Sequence, residues 1–130
     1  MGALELMERY ADAARRGDWE AVYGFFADDV VAYVPGRSAL AGELRGRDAA
    51  IGYIEAARAK SRGADVEVEL VDRLWSDERV LLLVRERFAR DGGRVEIARA
   101  NVYTVREGAI AEVWIFEADQ YLVDELVAQA

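Results

Sequence analysis

The sequence predicts an α+β protein, with helices packed on one face of a curved, mostly antiparallel sheet. Three observations carry this. The first half of the 130-residue chain repeats apolar residues at helical spacing, punctuated by Gly17, Asp18, Pro35-Gly36 and Gly46. Between Val66 and Asp119 the spacing changes to alternating runs separated by turn signals. A last run with Leu122, Val123, Leu126 and Val127 returns to helical spacing. Helices segregated from a meander of sequential strands define the α+β class.

Each element has its own reason. Ala3 to Arg16 is predicted helical because Leu6, Tyr10, Ala13 and Ala14 share a face and Gly17 supplies a stop. Asp18 is placed to cap a second helix through Trp19, Val22, Phe25 and Phe26, since its carboxylate accepts the free amides of a first turn. Asp28-Asp29 is expected to end that helix, and Val30 to Val34 reads as a short strand stopped by Pro35-Gly36. The next stretch, PGRSALAGELRG, holds three glycines and the only proline, too broken for a regular element. Its apolar tip at Leu40 either covers a pocket mouth or a partner, or packs on the core edge. A third helix opens near Asp48, turns Ala50, Ile51, Ile54 and Ala57 inward, and ends near Arg62-Gly63. Lys60, the only lysine, is expected to be exposed on it.

Four strands follow. Val66 to Trp75 alternates as if one face were buried and one wet. Ser76-Asp77-Glu78 and Asp91-Gly92-Gly93 turn the chain into Val80–Phe88 and then into a long hairpin from Arg94 to Asp119, closed at Glu107-Gly108. A two-residue turn there pairs Arg106 with Ala109 and, with unbroken alternation, places Asn101 opposite Trp114 and Arg99 opposite Phe116. One face then carries Arg99, Asn101, Tyr103, Glu112, Trp114 and Phe116, an aromatic wall with a few directed polar groups suited to a small-molecule cavity. Glu86 falls opposite or diagonal to Arg99, so Arg99 either pairs with Glu86 or meets a ligand. Asn101, polar in mid-strand, needs a partner. Tyr10 is either a core tyrosine or a donor into the same space.

Composition narrows the function. A length of 130 residues with 53% hydrophobic content suits a single domain spanning residues 1–130. A net charge of −8 argues against nucleic acid. The absence of cysteine and histidine removes disulfides, thiolate chemistry, Ser-His triads and nearly every zinc site, so no metal is expected. Carboxylates and tyrosines are left for acid–base work. No apolar run approaches ~18 residues, so no membrane contact and a soluble, cytoplasmic protein are expected.

Three strings, RGDWEAVYGFFADDV, GELRGRDAAIGYI and VYTVREGAIAEVWIFEADQY, give the chain a resemblance along nearly its whole length. It resembles the NTF2-like superfamily, and within it the SnoaL-like and ketosteroid-isomerase-like proteins, whose sheet curls around a conical cavity. The resemblance implies an apolar small molecule in that cone, no cofactor, and a homodimer through the outer face of the sheet. Residue by residue, Tyr10 is similar in spacing to the isomerases' oxyanion-donating tyrosine, and Asn101 stands where they carry a protonated aspartate. Val34 falls at their general base and cannot take a proton. Arg99-Ala100-Asn101 resembles the Arg-x-Asp element of limonene-epoxide-hydrolase-type enzymes with Asp changed to Asn, and their water-holding tyrosine and asparagine correspond to Val31 and Tyr33. Neither mechanism is therefore complete here.

SnoaL-like polyketide cyclases use a late aspartate as acid–base catalyst, and Asp119 is its nearest counterpart. The alternative reading of Asp119 is a simple N-cap of the last helix. The resemblance thus implies acid–base chemistry on an enolisable carbonyl of an apolar, cyclic substrate. Asp119 would carry the proton, Tyr10 and Asn101 donate to the oxyanion, Arg99 orient, and Tyr33, Tyr103, Trp114, Phe116, Leu40 and Glu86 line the pocket. The other reading is a non-catalytic hydrophobic-ligand-binding or dimerisation module of the same fold.

Overall fold

A computed structural model describes residues 1–129. The order is α1 (Ala3–Arg15), α2 (Trp19–Gly24), β1 (Phe26–Val34), β2 (Gly42–Arg45), α3 (Arg47–Arg58), a 3-10 turn (Ala59–Ser61), β3 (Glu67–Trp75), β4 (Arg79–Arg90), β5 (Gly93–Arg106), β6 (Ala109–Glu117) and α4 (Gln120–Ala128). The strands form one sheet in the order β2-β1-β6-β5-β4-β3. Among the described residues only β1 and β6 run parallel; the other neighbours are antiparallel. Helices lie against this curved sheet, as the α+β class requires. The tightest part of the core joins Met7 of α1, Val22 of α2, Val30 of β1, Val80 of β4 and Ile110 of β6, all fully buried. A second cluster, Phe88, Ile97, Val123 and Leu126, seats α4.

The predicted punctuation works as local physics says. Gly17 takes a left-handed φ of 72° after α1. Asp18 caps α2 by accepting the Ala21 amide at 3.2 Å. Glu107 and Gly108, both at positive φ, close the β5–β6 hairpin with Arg106 opposite Ala109.

Several expectations are corrected. The second helix stops at Gly24, and Phe26 already belongs to β1, because the Ile110 amide donates to the Phe25 carbonyl at 2.8 Å and draws the chain onto β6. The stretch expected to be irregular contains β2, whose Gly42–Arg45 pair with Val34–Val31. An edge ladder on β1 supplies what the local sequence lacks. Strand β3 buries neither face; it is bonded to β4 on one side only, and a bulge at Val71 breaks its alternation. Lys60 is not exposed but 6% accessible. Lys60 stands three residues after Ala57 at the end of α3, a spacing that shares one face, so it follows Ala57 onto the cavity side.

The largest correction concerns the hairpin. Val105 pairs with Ile110 but Thr104 pairs with Glu112, leaving Ala111 as an extra residue on β6. A single such bulge reverses the face of everything beyond it. Asn101 therefore sits opposite Ile115, Val102 opposite Trp114, and Arg99 opposite Glu117. Val113, Ile115 and Glu117 join Arg99, Asn101 and Tyr103 on the concave face, and Glu112, Trp114 and Phe116 turn to the convex one.

Candidate functional site

The concave face of β4, β5 and β6, with α1 and α3 across it, lines a half-open cavity of about 1000 Å³. Its apolar walls include Ala32, Ile54, Leu82, Val84, Val113 and Ile115. Two polar groups interrupt them: a chain of charges at one end and a cluster of tyrosines with Asn101.

The charged chain has four members. Lys60 Nζ lies 3.0 Å from Glu86 Oε2. The other Glu86 oxygen accepts from Arg99 Nη1, and Arg99 Nε donates to both oxygens of Glu117 at 3.0 and 3.1 Å. The four side chains are each 13% exposed or less, and Glu117 only 1%. Two positive and two negative groups give the chain no net charge, the condition under which buried ions persist. Register explains the meeting. Arg99 faces Val84, which puts Glu86 on the diagonal, and the bulge sets Glu117 directly opposite Arg99.

The members hold their protons differently. Burial alone would raise Glu86, but Arg99 and then Lys60 more than offset this and hold its carboxyl below the usual value. Burial raises Glu117, and Arg99 offsets only part of that. Burial lowers Lys60 against the pull of Glu86. Arg99 is held charged: burial opposes it, but Glu86 and Glu117 prevail.

Tyr10, Tyr53 and Tyr103 line the same cavity. Tyr10 and Tyr103 are tilted rings 5.3 Å apart. Burial raises the pKa of both, and it pushes Tyr53 up to about 12 against the opposing charge of Arg99. All three are therefore phenol donors throughout the neutral range. Asn101 Nδ2 donates to the Tyr103 hydroxyl at 3.3 Å, while its buried Oδ1 has no partner among the described residues. Rotating the amide would exchange the two atoms and leave its NH2 unpaired instead. Either way one buried polar atom of Asn101 lacks a partner, at a cost of about 1–3 kcal/mol if nothing meets it.

Of the residues singled out in the sequence, Tyr10, Arg99, Asn101, Tyr103 and Glu86 converge on the cavity. The others do not. Asp119 caps α4 by accepting the Leu122 amide at 3.1 Å and borders a separate cleft of about 230 Å³. Tyr33 stacks on Trp114 with centroids 3.8 Å apart, and both lie on the convex side with Phe116, which is 54% exposed. Leu40 is half-buried in a loop tied to α4, where the Arg37 amide donates to Asp124 at 3.0 Å. The aromatic parity of β6 was the wrong one to follow; the β-branched pair Val113 and Ile115 marks the inner row, and Glu117 continues it. Sequence reasoning missed Glu117, Lys60 and Tyr53. Only the parity of Val113 and Ile115 pointed to the first.

With the geometry in place, comparison with known proteins gives a consistent result. The SnoaL-like domain family model matches residues 7–113. An uncharacterised protein of Mycobacterium tuberculosis is 35% identical over 117 residues, covering 89% of this chain and 88% of that protein. Among solved structures, Bal32a from a soil-derived mobile gene cassette superposes with a TM-score of 0.82 at 26% identity, over 95% of this chain and 94% of that one. A protein of unknown function with a cystatin-like fold from Xanthomonas campestris gives 0.81 at 23% identity, over 97% and 98%. TerC, co-crystallised with polyporic acid, gives 0.78 at 16% identity, over 96% and 97%. The last two likenesses show the fold alone.

Proposed function

We propose that this chain, which belongs to the SnoaL-like domain family, is a small-molecule enzyme that moves a proton at the α-carbon of an enolisable carbonyl in an apolar, cyclic substrate. One observation carries the reading: a glutamate with its side chain 1% exposed, Glu117, stands in the wall of an apolar cavity of about 1000 Å³. Cavities of roughly 300–1000 Å³ hold drug-sized ligands. Glu117 takes the role expected of Asp119, because the bulge at Ala111 aims it inward and Asp119 is spent on the cap.

The chemistry follows from the surroundings. The ionised carboxylate removes the α-proton and returns it to another position. A raised pKa makes it a stronger base when ionised and a longer-lived proton carrier afterwards. Arg99 grips both carboxylate oxygens and fixes their direction. The buried phenols of Tyr10 and Tyr103 are donors for the developing oxyanion. Asn101 acts through Tyr103: its Nδ2 donates to the Tyr103 hydroxyl at 3.3 Å and leaves that hydroxyl's own proton free for the substrate. The ligand recorded with TerC supports a small organic molecule as the kind of guest this fold accepts.

The test is exchange of α-hydrogens for deuterium in a panel of cyclic ketones, followed by NMR. Exchange is expected in the native protein and a loss of about 10²-fold or more in Glu117→Gln, with ligand binding retained. A second reading draws on the closed pairing of Arg99 with both Glu86 and Glu117, which also suits a polar floor for a hydrophobic-ligand-binding module. Tight ketone binding with no exchange above solvent would decide for that module. We also propose that the convex face, with Leu74, Trp114 and Phe116 exposed, is covered by a second copy of the chain.

A further inference from the structure

We infer that Lys60 is an amine nucleophile that condenses with an aldehyde or ketone bound in the cavity, forming an iminium held against Glu86. The inference stands on the cavity and does not require Glu117 to move a proton.

Four features of the site support it. Lys60 is the only lysine of the chain, and its side chain, 8% exposed, belongs to the cavity wall. A lysine on the surface would suffice for charge; this one is buried in the cavity wall with apolar residues beside it. Its position is fixed from both ends. Arg90, itself buried, donates to the Lys60 carbonyl at 2.9 Å and to the Leu126 carbonyl at 3.4 Å, clamping the 3-10 turn to α4. At the other end Nζ donates to the Ala57 carbonyl at 3.2 Å and meets Glu86 at 3.0 Å. The reacting atom is therefore held in place before a substrate arrives.

The charge balance of the network suits the reaction. An ammonium and a carbonyl give an iminium and water: the C–N bond forms, the C–O bond breaks, and two of the three ammonium protons leave with the carbonyl oxygen. The third proton stays on nitrogen. One positive charge is present before and after, so the iminium replaces the ammonium beside Glu86 and the chain of Lys60, Glu86, Arg99 and Glu117 remains neutral. Glu86 Oε2 is placed to take the ammonium proton while the neutral amine attacks and to return it when the oxygen leaves. Burial makes that proton easier to lose than that of a free lysine.

The experiment uses the full chain with 2-naphthaldehyde and sodium cyanoborohydride, which reduces an iminium to a stable secondary amine. Peptide mapping by mass spectrometry then reads Lys60 Nζ, the only lysine amine of the sequence, and, as an internal reference, the exposed Met1 α-amine of the chain tested. Lys60 is expected to be labelled at least about tenfold faster than the lysine of an unstructured peptide of the same local sequence. A cyclic ketone that fills the cavity should slow labelling of Lys60 and leave Met1 unaffected. Lys60→Arg, which keeps the charge beside Glu86, should yield no adduct at position 60. Labelling of Met1 alone, or of Lys60 no faster than in the peptide, overturns the inference even if the variant fails to fold. Lys60 labelling without α-hydrogen exchange keeps this inference and removes the acid–base reading; exchange without Lys60 labelling does the reverse.

Discussion

Glu86 and Glu117 bind the same guanidinium, yet the protein treats their protons in opposite ways. Glu86 has two cations against it and is held ionised; Glu117 has one, and burial prevails. Three expectations follow. For α-hydrogen exchange, the acid limb of the pH–rate profile should lie above the ordinary glutamate value of 4.5, and it should vanish with Glu117→Gln. For stability, Glu86→Gln leaves Lys60 without a counter-ion and should cost about 3 kcal/mol in chemical denaturation. The third concerns alkaline pH. Tyr10, Tyr53 and Tyr103 keep their protons longer when folded than their ordinary value of 10.0 allows, so stability falls as pH rises through 10 and continues to fall to about 12. Lys60, with a lowered folded value, contributes the opposite slope up to its ordinary 10.5. The denaturation midpoint should therefore drop clearly only above that pH.

At the scale of elements, two short features organise the molecule. One is Ala111, which as the extra residue of β6 decides which face of the hairpin is the inside. The other is the Pro35–Ala41 loop, held to α4 through the Arg37 amide and Asp124. Gly36 sits there at φ 98°, and a Cβ on it would run into the side chains of Asp124 and Gln120. Gly36→Ala should therefore lower stability by roughly 1–3 kcal/mol, read as a shift in denaturation midpoint. Gly52, on α3, has nothing within reach of such a Cβ, and Gly52→Ala should hold or gain stability by up to about 1 kcal/mol. The caps at Asp18 and Asp119 were legible in the sequence because a cap depends on three or four neighbouring residues. The 3-10 turn that carries Lys60 inward was not: nothing in Ala59-Lys60-Ser61 distinguishes it from one more turn of α3.

Viewed whole, the molecule presents an apolar inside and a partly apolar outside. Trp114 stacks on Tyr33 across the parallel β1–β6 pair, and Phe116 and Leu74 lie more than half exposed. Elsewhere the convex face carries Arg87 paired with Glu69 and Glu96. A second copy covering the aromatic part is expected to give a particle of twice 14.5 kDa in light scattering. Phe116→Glu should return it to the single mass. Because each copy carries a net charge of −8, added salt should strengthen the association by screening.

The sequence by itself determined the class of fold, the position of most elements, the turns, the caps, and the family. These depend on hydrophobic period and on glycine, proline and aspartate at short range. It also brought Arg99, Asn101 and Tyr103 onto one list by strand alternation, Glu86 through the Asp91-Gly92-Gly93 turn, and Tyr10 through the family resemblance. Only the tertiary structure decided which carboxylate faces the cavity. The β-branched parity of Val113 and Ile115 hints at the inner row, but both parities of β6 are apolar from Val113 to Phe116, so local pattern alone does not settle the choice. The choice was made by packing, when one extra residue turned Trp114 and Phe116 outward and Glu117 in, against a guanidinium already waiting on the neighbouring strand.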